Sequence, residues 1–194
     1  MKVILINGSR REKGCTYTAL EEIAGTLHEE GIETELFFVG KDAVNGNIDE
    51  CVKTVGEAMK EADGLIIGSP VYYASPSGEV LAFLDRFFWN YGKVLHHKPG
   101  AAIVSARRAG TTASFDVLNK YFTISQMPIV SSQYWNMVHG HSPDQVRQDE
   151  EGMQIMRTLA RNMAWLLKLK AAGEAAGIEL PRQEERRIAT NFIR

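Results

Sequence analysis

The chain has 194 residues, with 22 Lys and Arg against 24 Asp and Glu, which gives a formal net charge of −2. This balance argues against a nucleic-acid partner, and the 44% share of hydrophobic residues is ordinary for a globular protein. The apolar runs are far shorter than the ~20 residues that a membrane helix needs, and a strand pattern follows the first Met at once. We therefore expect a cytoplasmic protein with no signal peptide, no membrane segment and no nucleic-acid partner.

The first predicted strand and the first predicted helix enclose a polar loop, residues 7–16. The strand pattern covers residues 3–6, and apolar positions recur at helical spacing over residues 17–27. Such a turn directs the free N–H groups and the positive dipole end of the helix at one point, which favours an anion there. The loop matches neither a Walker A loop nor a dinucleotide fingerprint. A phosphate-binding loop and an ordinary polar turn, with an N-cap at Cys15 or Thr16, both stay open at this point.

The rest of the chain alternates between strand and helix patterns. The further strand patterns lie at residues 33–39, 65–68, 99–106 and 128–131. The further helix patterns lie at residues 48–62, 78–90, 115–122 and 143–172, and residues 40–47 are expected to form a loop. This alternation predicts a doubly wound α/β domain of five parallel strands, with right-handed crossovers and helices on both faces of the sheet.

The predicted strand order is 2-1-3-4-5, because the second strand pattern has an exposed side typical of a sheet edge. In such sheets, ligands bind outside the carboxyl ends of the strands, where the chain direction reverses. The loops at residues 7–16, 68–78 and 105–112 all lie at this end. We predict that the three loops form one ligand site, which favours the phosphate interpretation of the first loop.

The domain is predicted to span residues 1–176 and to be followed by a C-terminal tail, residues 177–194. The tail shows no clear periodicity. Its apolar residues Ile188, Phe192 and Ile193 would be unfavourable to expose to water, so we expect them to pack on a partner subunit.

Two of the three loops carry specific residue patterns. The first pattern is Gly8-Ser9-Arg10-Arg11 with Gly14-Cys15-Thr16. The second is Gly68-Ser69-Pro70-Val71-Tyr72-Tyr73 with Ser75-Pro76-Ser77-Gly78 and Phe83-Leu84-Asp85-Arg86. Both patterns resemble the signature loops of the NADPH-dependent FMN reductase family of flavodoxin-like proteins, and the resemblance covers about residues 1–135.

This resemblance implies a flavodoxin-like fold that binds FMN. The phosphate is then expected in the first loop, at Ser9, Arg11, Gly14, Cys15 and Thr16. The edge of the isoalloxazine ring is expected at Pro70, Val71, Tyr72 and Tyr73. The pyrimidine side of the ring is expected within residues 105–111, at Ser105, Arg107, Gly110 and Thr111. Cys15 departs from the Asn commonly found at its position in the family.

The resemblance also implies an oxidoreductase that uses NADPH or NADH to reduce a small-molecule electron acceptor through bound FMN, as a homodimer or homotetramer. No acid or base residue is assigned, since the cofactor carries the chemistry. Arg107 or Arg108 could bind the extra phosphate of NADPH instead of the flavin ring. Two alternatives are a flavodoxin-like electron carrier, against which the near-zero net charge weighs, and a non-catalytic flavin-binding module.

The sequence predicts no metal site. The two cysteines, Cys15 and Cys51, form no C-x-x-C motif. Within the family, the sequence most resembles the iron-sulfur flavoprotein branch, but the compact cysteine cluster that this branch has before its second helix is absent from the sequence. The paired histidines at residues 96–97 and the His-Gly-His segment at residues 139–141 lack cysteines or carboxylates at ligand spacing. We therefore interpret these histidines as solvated loop residues.

Overall fold

The computed structural model describes residues 1–186 and 188–190, and a parallel β-sheet with helices on both faces lies at its centre. The strands are β1 (Lys2–Asn7), β2 (Glu33–Phe38), β3 (Gly64–Tyr72), β4 (Ser75–Pro76), β5 (Gly100–Ala106) and β6 (Met137–His139). The helices are α1 (Cys15–Glu29), α2 (Gly40–Asn45), α3 (Ile48–Lys60), α4 (Gly78–Leu95), α5 (Thr111–Ile124), α6 (Pro143–Gln148) and α7 (Glu150–Ala175).

The sheet has the order β2-β1-β3-β5-β6, and every neighbouring pair along it is parallel. Numbered among the parallel strands alone, this is the order 2-1-3-4-5, so the predicted flavodoxin-like topology is confirmed. The chain direction reverses between β1 and β3. The carboxyl ends of β1, β3, β5 and β6 therefore meet at one edge of the sheet, where the polar loops begin.

Alternation along the strands separates two hydrophobic cores. In β1, Val3 and Leu5 point to the layer that contains α1 and α7, whereas Ile4 and Ile6 point to the layer of α3, α4 and α5. All four side chains are fully buried. A parallel strand that is covered on both faces has to be apolar throughout, which is why these strands appear in the sequence as short continuous apolar runs.

The fifth parallel strand is β6, so the prediction of a strand at residues 128–131 was wrong. That segment makes an isolated bridge between Ile129 and Gly100, at the start of β5. The chain then leaves the sheet and returns as β6, which pairs with the last three residues of β5. Asn136 spans the gap, because its side-chain amide donates to the Ala102 carbonyl oxygen at 3.0 Å. A three-residue strand is too short for its alternation to be visible in the sequence.

Three further predictions, one of a loop and two of helices, also need correction. The loop expected at residues 40–47 contains α2, which ends at Asn45 and is followed by Gly46 in the left-handed region. The helix predicted over residues 143–172 is two helices, because Asp149 leaves helical geometry between α6 and α7. The Asp149 carboxylate then accepts a hydrogen bond from the Gly152 N–H at 3.0 Å and caps α7. Finally, α4 continues past residue 90 to Leu95.

The segment predicted as a loop at residues 68–78 is partly a hairpin. Strand β3 continues to Tyr72 and pairs with β4 in antiparallel fashion. The two-residue tip, Tyr73 and Ala74, has positive φ angles of 50° and 58°. Ser77 caps the next helix, since its Oγ accepts a hydrogen bond from the Val80 N–H at 3.2 Å.

The last regular element is α7, and the described residues after Ala176 include no helix or strand. Ile188 is 89% exposed, while Phe192 and Ile193 lie outside the described residues. The division into a domain and a tail therefore stays a prediction. In the part of the chain that the structure describes, no helix is long and apolar enough to cross a bilayer.

Candidate functional site

The loop after β1 is shaped by the side chain of Asn7, which is fully buried. Asn7 Oδ1 accepts a hydrogen bond from the Ser9 N–H at 3.1 Å, and Asn7 Nδ2 donates to the Glu12 carbonyl oxygen at 2.8 Å. Ser9 Oγ in turn accepts from the Arg11 N–H at 3.1 Å. These three bonds fold the loop back on itself and leave Ser9 and Arg11 on the wall of a cleft.

Helix α1 begins beside this loop, and no side chain of the described residues caps the N–H groups of its first turn. Its N-cap is Gly14, so neither Cys15 nor Thr16 is the N-cap that the ordinary-turn interpretation required. Within the described chain, the first turn contains no acidic residue. Cys15 and Thr16 line the cleft, whereas Gly14 does not. The first N–H groups of α1 and its positive dipole end are thus available to an anion.

The two arginines of the loop have different surroundings. Arg10 forms an ion pair with Glu79 at the start of α4, with 3.4 Å between Nε and Oε1. Arg11 lines the cleft. The charge of Arg10 is therefore already paired within the protein, and Arg11 is the arginine of this loop that faces the cleft.

The end of β3 forms the second wall, through Pro70, Val71 and Tyr72. Ser77 ties this wall to the first loop. Its Oγ donates to the Gly8 carbonyl oxygen at 2.7 Å, and its N–H donates to Ser69 Oγ at 3.0 Å. The position of this wall relative to the first loop is consequently fixed by buried hydrogen bonds.

Tyr73 was predicted as a ring contact, but the structure places it at the hairpin tip with its side chain fully exposed, and it does not line the cleft. The tip rests on the next loop at Gly110, where an added Cβ would lie 2.7 Å from the Ala74 Cα. Gly110 has a φ of +96°, which glycine adopts readily. Thr111 begins α5 and is buried, and neither residue lines the cleft.

The end of β5 forms the third wall, through Ser105, Ala106 and Arg107. Ser105 Oγ and Thr16 Oγ1 lie 2.8 Å apart and share a hydrogen bond. This buried contact joins the third wall to the first turn of α1. The predicted convergence of three loops from three strands is therefore present in the structure.

The fourth wall was missed by the sequence analysis and consists of Gly140 and His141. It follows β6, whose position was predicted wrongly. The thiol of Cys15 lies 3.6 Å from the Gly140 carbonyl oxygen and donates to it weakly. The available signal was the His-Gly-His segment itself, which would have pointed to the site had the strand before it been located.

The charge of the lining is one-sided. Arg11 and Arg107 are cationic, while no carboxylate lines the cleft among the described residues. Burial raises the pKa of the Cys15 thiol, although its backbone hydrogen bond and the Arg11 charge oppose this shift. Cys15 thus stays neutral at physiological pH and does not repel an anion. The cleft can bind a phosphate at α1 and an uncharged or electron-rich ring between the second and third walls.

In the described part of the chain, no group of three or more His, Cys, Asp or Glu side chains is placed to hold a metal ion. Cys51 lies on α3, away from the cleft, and is half-buried. Burial and the neighbouring Asp42 raise the pKa of its thiol to about 12.

Comparison with known proteins places this geometry in context. The family model described as NADPH-dependent FMN reductase matches residues 1–142. An iron-sulfur flavoprotein of Methanocaldococcus jannaschii is 30% identical, over 87% of this chain and 98% of its own length. The FMN reductase (NADPH) of Escherichia coli K12 is 33% identical, over 44% of this chain and 47% of its own length.

Solved structures agree in fold. A WrbA-like flavodoxin from Agrobacterium tumefaciens matches with a TM-score of 0.65 at 14% sequence identity. The match covers 87% of this chain and 97% of the other. At this identity the likeness shows the flavodoxin-like fold alone.

Proposed function

Since this chain belongs to the NADPH-dependent FMN reductase family, we propose that FMN binds in the cleft and serves to pass reducing equivalents from NAD(P)H to a small acceptor. Membership of the family makes the chain an NAD(P)H-dependent flavin oxidoreductase with FMN as its cofactor. The acceptor that we propose is free flavin, a quinone or a similar electrophile.

One observation carries the proposal: the walls of the cleft come from the carboxyl ends of β1, β3, β5 and β6, at the switch point of the sheet. The lining combines hydroxyl groups, a free helix N-terminus and two arginines, without a carboxylate among the described residues. This set of donors fits FMN, which has a dianionic phosphate at one end and a planar ring at the other.

We place the phosphate at the first turn of α1. Its N–H groups supply donors that no side chain of the described residues occupies. Ser9, Thr16 and Arg11 line the cleft around this point, so hydroxyl and guanidinium donors can complete the contact. Gly14 contributes its backbone conformation at the N-cap rather than a contact in the cleft. Cys15 offers a neutral thiol where the family commonly has Asn, and this thiol already donates to Gly140.

We place the ring between the second and third walls. Pro70, Val71 and Tyr72 flank one edge, and Ser105 and Arg107 flank the other. Arg107 lines the cleft whereas Arg108 does not, which supports Arg107 as the flavin-side arginine and leaves Arg108 for solvent or for the donor. Tyr73, Gly110 and Thr111 then shape the hairpin and the start of α5 without touching the ring.

Bound FMN supplies hydride chemistry, and the residues of the chain bind, orient and shield it. A guanidinium aimed at the ring favours negative charge there, and the effect is strong where water is excluded. Arg107 is the residue placed for this role. No residue of the chain is assigned the role of an acid or a base.

The first test is the absorption spectrum of the purified protein after addition of FMN and desalting, followed by anaerobic NADPH and, separately, NADH. We expect a retained flavin spectrum that bleaches with at least one donor. Retention without bleaching would favour the electron carrier or the non-catalytic module, and an absence of binding in titration would contradict the proposal.

The two arginines of the first loop supply a matched pair for this test. Arg11→Gln should weaken FMN binding by about tenfold or more, since a charge-assisted hydrogen bond contributes about 1.5–3 kcal/mol. Arg10→Gln should change it less than about twofold, because Arg10 is paired with Glu79. Equal effects of the two substitutions would contradict the assignment of Arg11 to the phosphate.

We further propose that the protein is a homodimer or homotetramer without nucleic-acid or membrane partners and that it works in the cytoplasm. Tyr134 and Trp135 are both exposed and their ring centroids lie 4.9 Å apart, and this aromatic pair supports an oligomer. Sedimentation analysis of the purified protein with and without FMN measures the oligomeric state, and a monomer at all concentrations would contradict this proposal.

A further inference from the structure

We propose that His141 is a ligand of the FMN phosphate, so that the affinity for FMN depends on the protonation of this residue. The inference rests on the proposed function and adds a fourth wall to the phosphate site. Its basis is the position of the chain after β6, which brings one histidine to α1 and keeps a second one away from it.

The backbone path after β6 leads directly to the start of α1. The Gly140 N–H donates to the Ala106 carbonyl oxygen at 3.0 Å, which continues the pairing of β6 with β5. The Gly140 carbonyl oxygen lies 3.6 Å from the Cys15 thiol, in the first turn of α1. A Cβ at Gly140 would lie 2.8 Å from the Val146 backbone nitrogen, so the chain passes close to α6 at this point. His141 follows immediately and lines the cleft.

The backbone of His141 is held in place by the start of α6. Its N–H donates to Gln145 Oε1 at 2.7 Å, and the N–H of Gln145 donates to Ser142 Oγ at 3.3 Å. Ser142 is the N-cap of α6. This capping arrangement fixes the backbone of His141 beside the cleft and does not use the ring nitrogens of its side chain.

His139 provides a contrast two residues earlier. Its N–H donates to Asp149 Oδ2 at 2.6 Å, and its Nδ1 lies 3.9 Å from the same oxygen. His139 does not line the cleft. His139 thus lies beside a carboxylate of the protein, whereas His141 faces a cleft whose described lining contains no carboxylate.

Other charged and titratable groups surround His141. From the facing walls they are Arg11, Cys15, Tyr72 and Arg107. On the elements that follow it they are Asp144, which pairs with Arg147, and Asp149, whose carboxylate accepts hydrogen bonds from the N–H groups of His139 and Gly152. Among these groups the nearby carboxylates are already paired, so a bound phosphate is the anion that favours the imidazolium of His141. Because histidine ordinarily titrates between pH 5 and 8, this contact is sensitive to pH in the physiological range.

The experiment measures the dissociation constants of FMN and riboflavin by flavin fluorescence, at pH 6.0 and 8.5, for the wild type, His141→Gln and His139→Gln. Riboflavin is the matched ligand that lacks the phosphate, and His139→Gln is the matched control variant. We expect His141→Gln to weaken FMN binding by about tenfold at pH 6.0 and by less than about twofold at pH 8.5, while riboflavin binding and His139→Gln stay within about twofold of the wild type.

His141→Lys is the second variant, because it keeps the positive charge without titrating in this range. It should bind FMN with nearly equal affinity at both pH values, and unfolding midpoints establish that each variant is folded. If the wild type binds FMN and His141→Gln binds it with the same affinity, this inference alone is overturned. The same holds if His141→Gln weakens riboflavin binding as much as it weakens FMN binding. A wild type that binds no FMN would overturn the proposed function together with it.

Discussion

The hydroxyl oxygens of Thr16 and Ser105 lie 2.8 Å apart although 89 residues separate them in the sequence. Both residues are almost completely buried, with 1% and 3% of their surface exposed. One belongs to the first turn of α1 and the other to the end of β5. Their hydrogen bond therefore sets the distance between the proposed phosphate end and the proposed ring end of the site.

Removal of one partner of this pair should cost both stability and affinity. Ser105→Ala leaves the Thr16 hydroxyl buried without its partner, so we expect a loss of about 1–3 kcal/mol in the free energy of unfolding and about fivefold weaker FMN binding. The double variant Thr16→Val with Ser105→Ala should lose less stability than the sum of the single variants, because no polar group then stays unpaired. Urea unfolding and FMN titration measure the two effects. Strictly additive losses would show that the hydroxyls do not interact.

Gly40 tests the shape of the first loop. An added Cβ there would lie 1.9 Å from the Ser9 carbonyl oxygen, so Gly40→Ala must displace the loop. We expect lower stability and weaker FMN binding. Gly25→Ala, in α1, is the control, since its Cβ would meet no described atom within 4 Å apart from the adjoining backbone of its own helix, and the substitution should stabilise the helix by about 1 kcal/mol. Thermal unfolding should give shifts of opposite sign, and two shifts of the same sign would contradict the predicted clash.

The hairpin tip should gain stability from a different pair of residues. Tyr73 and Ala74 both have positive φ, where residues other than glycine and asparagine are disfavoured. Replacement by Asn and Gly, the residues preferred in such two-residue turns, should raise the free energy of unfolding by about 1–2 kcal/mol. FMN binding should stay within about twofold, since neither side chain lines the cleft. A lower or unchanged urea midpoint would show that the tip is not strained.

Lys98 should stabilise the end of α3. Its Nζ donates to the carbonyl oxygen of Met59, in the last turn of α3, at 2.6 Å and to that of Ala62, just beyond the helix, at 2.5 Å. Lys98→Met should therefore lower the free energy of unfolding by about 1.5–3 kcal/mol. The exposed Lys120→Met is the control and should stay within about 0.5 kcal/mol. Similar losses in the free energy of unfolding in both variants would assign the effect to net charge rather than to the two hydrogen bonds of Lys98.

The contact between α4 and α5 should make the protein sensitive to alkaline pH. Tyr121 donates a hydrogen bond to Asp85, and burial together with this carboxylate raises the pKa of the Tyr121 hydroxyl. The unfolded chain ionises tyrosine at about pH 10, so the stabilisation is complete below that pH and is lost as the pH rises toward the pKa of the folded state. Urea unfolding at pH 9 and 11 should show a smaller loss for Tyr121→Phe than for the wild type. An equal loss in both would contradict the assignment.

Much of the fold could be predicted because each of its main elements carries a local signal. Runs such as Val3 to Ile6 are apolar throughout since parallel strands are buried on both faces, and helical periodicity marks the segments between them. Strict alternation of the two then permits few topologies. The sequence also indicated which loops belong together, because the carboxyl ends of neighbouring parallel strands share one edge of the sheet.

What only the tertiary structure decided were contacts between residues that are distant in the chain. No local signal distinguishes Arg10, paired with Glu79, from Arg11 in the cleft, or Arg107 in the cleft from Arg108 outside it. The three-residue strand β6 is stabilised by pairing with β5 rather than by its own pattern, so the cleft wall at His141 could not be located from the sequence. Periodicity reports which face of an element is buried, whereas the partner of a side chain depends on packing across the whole fold.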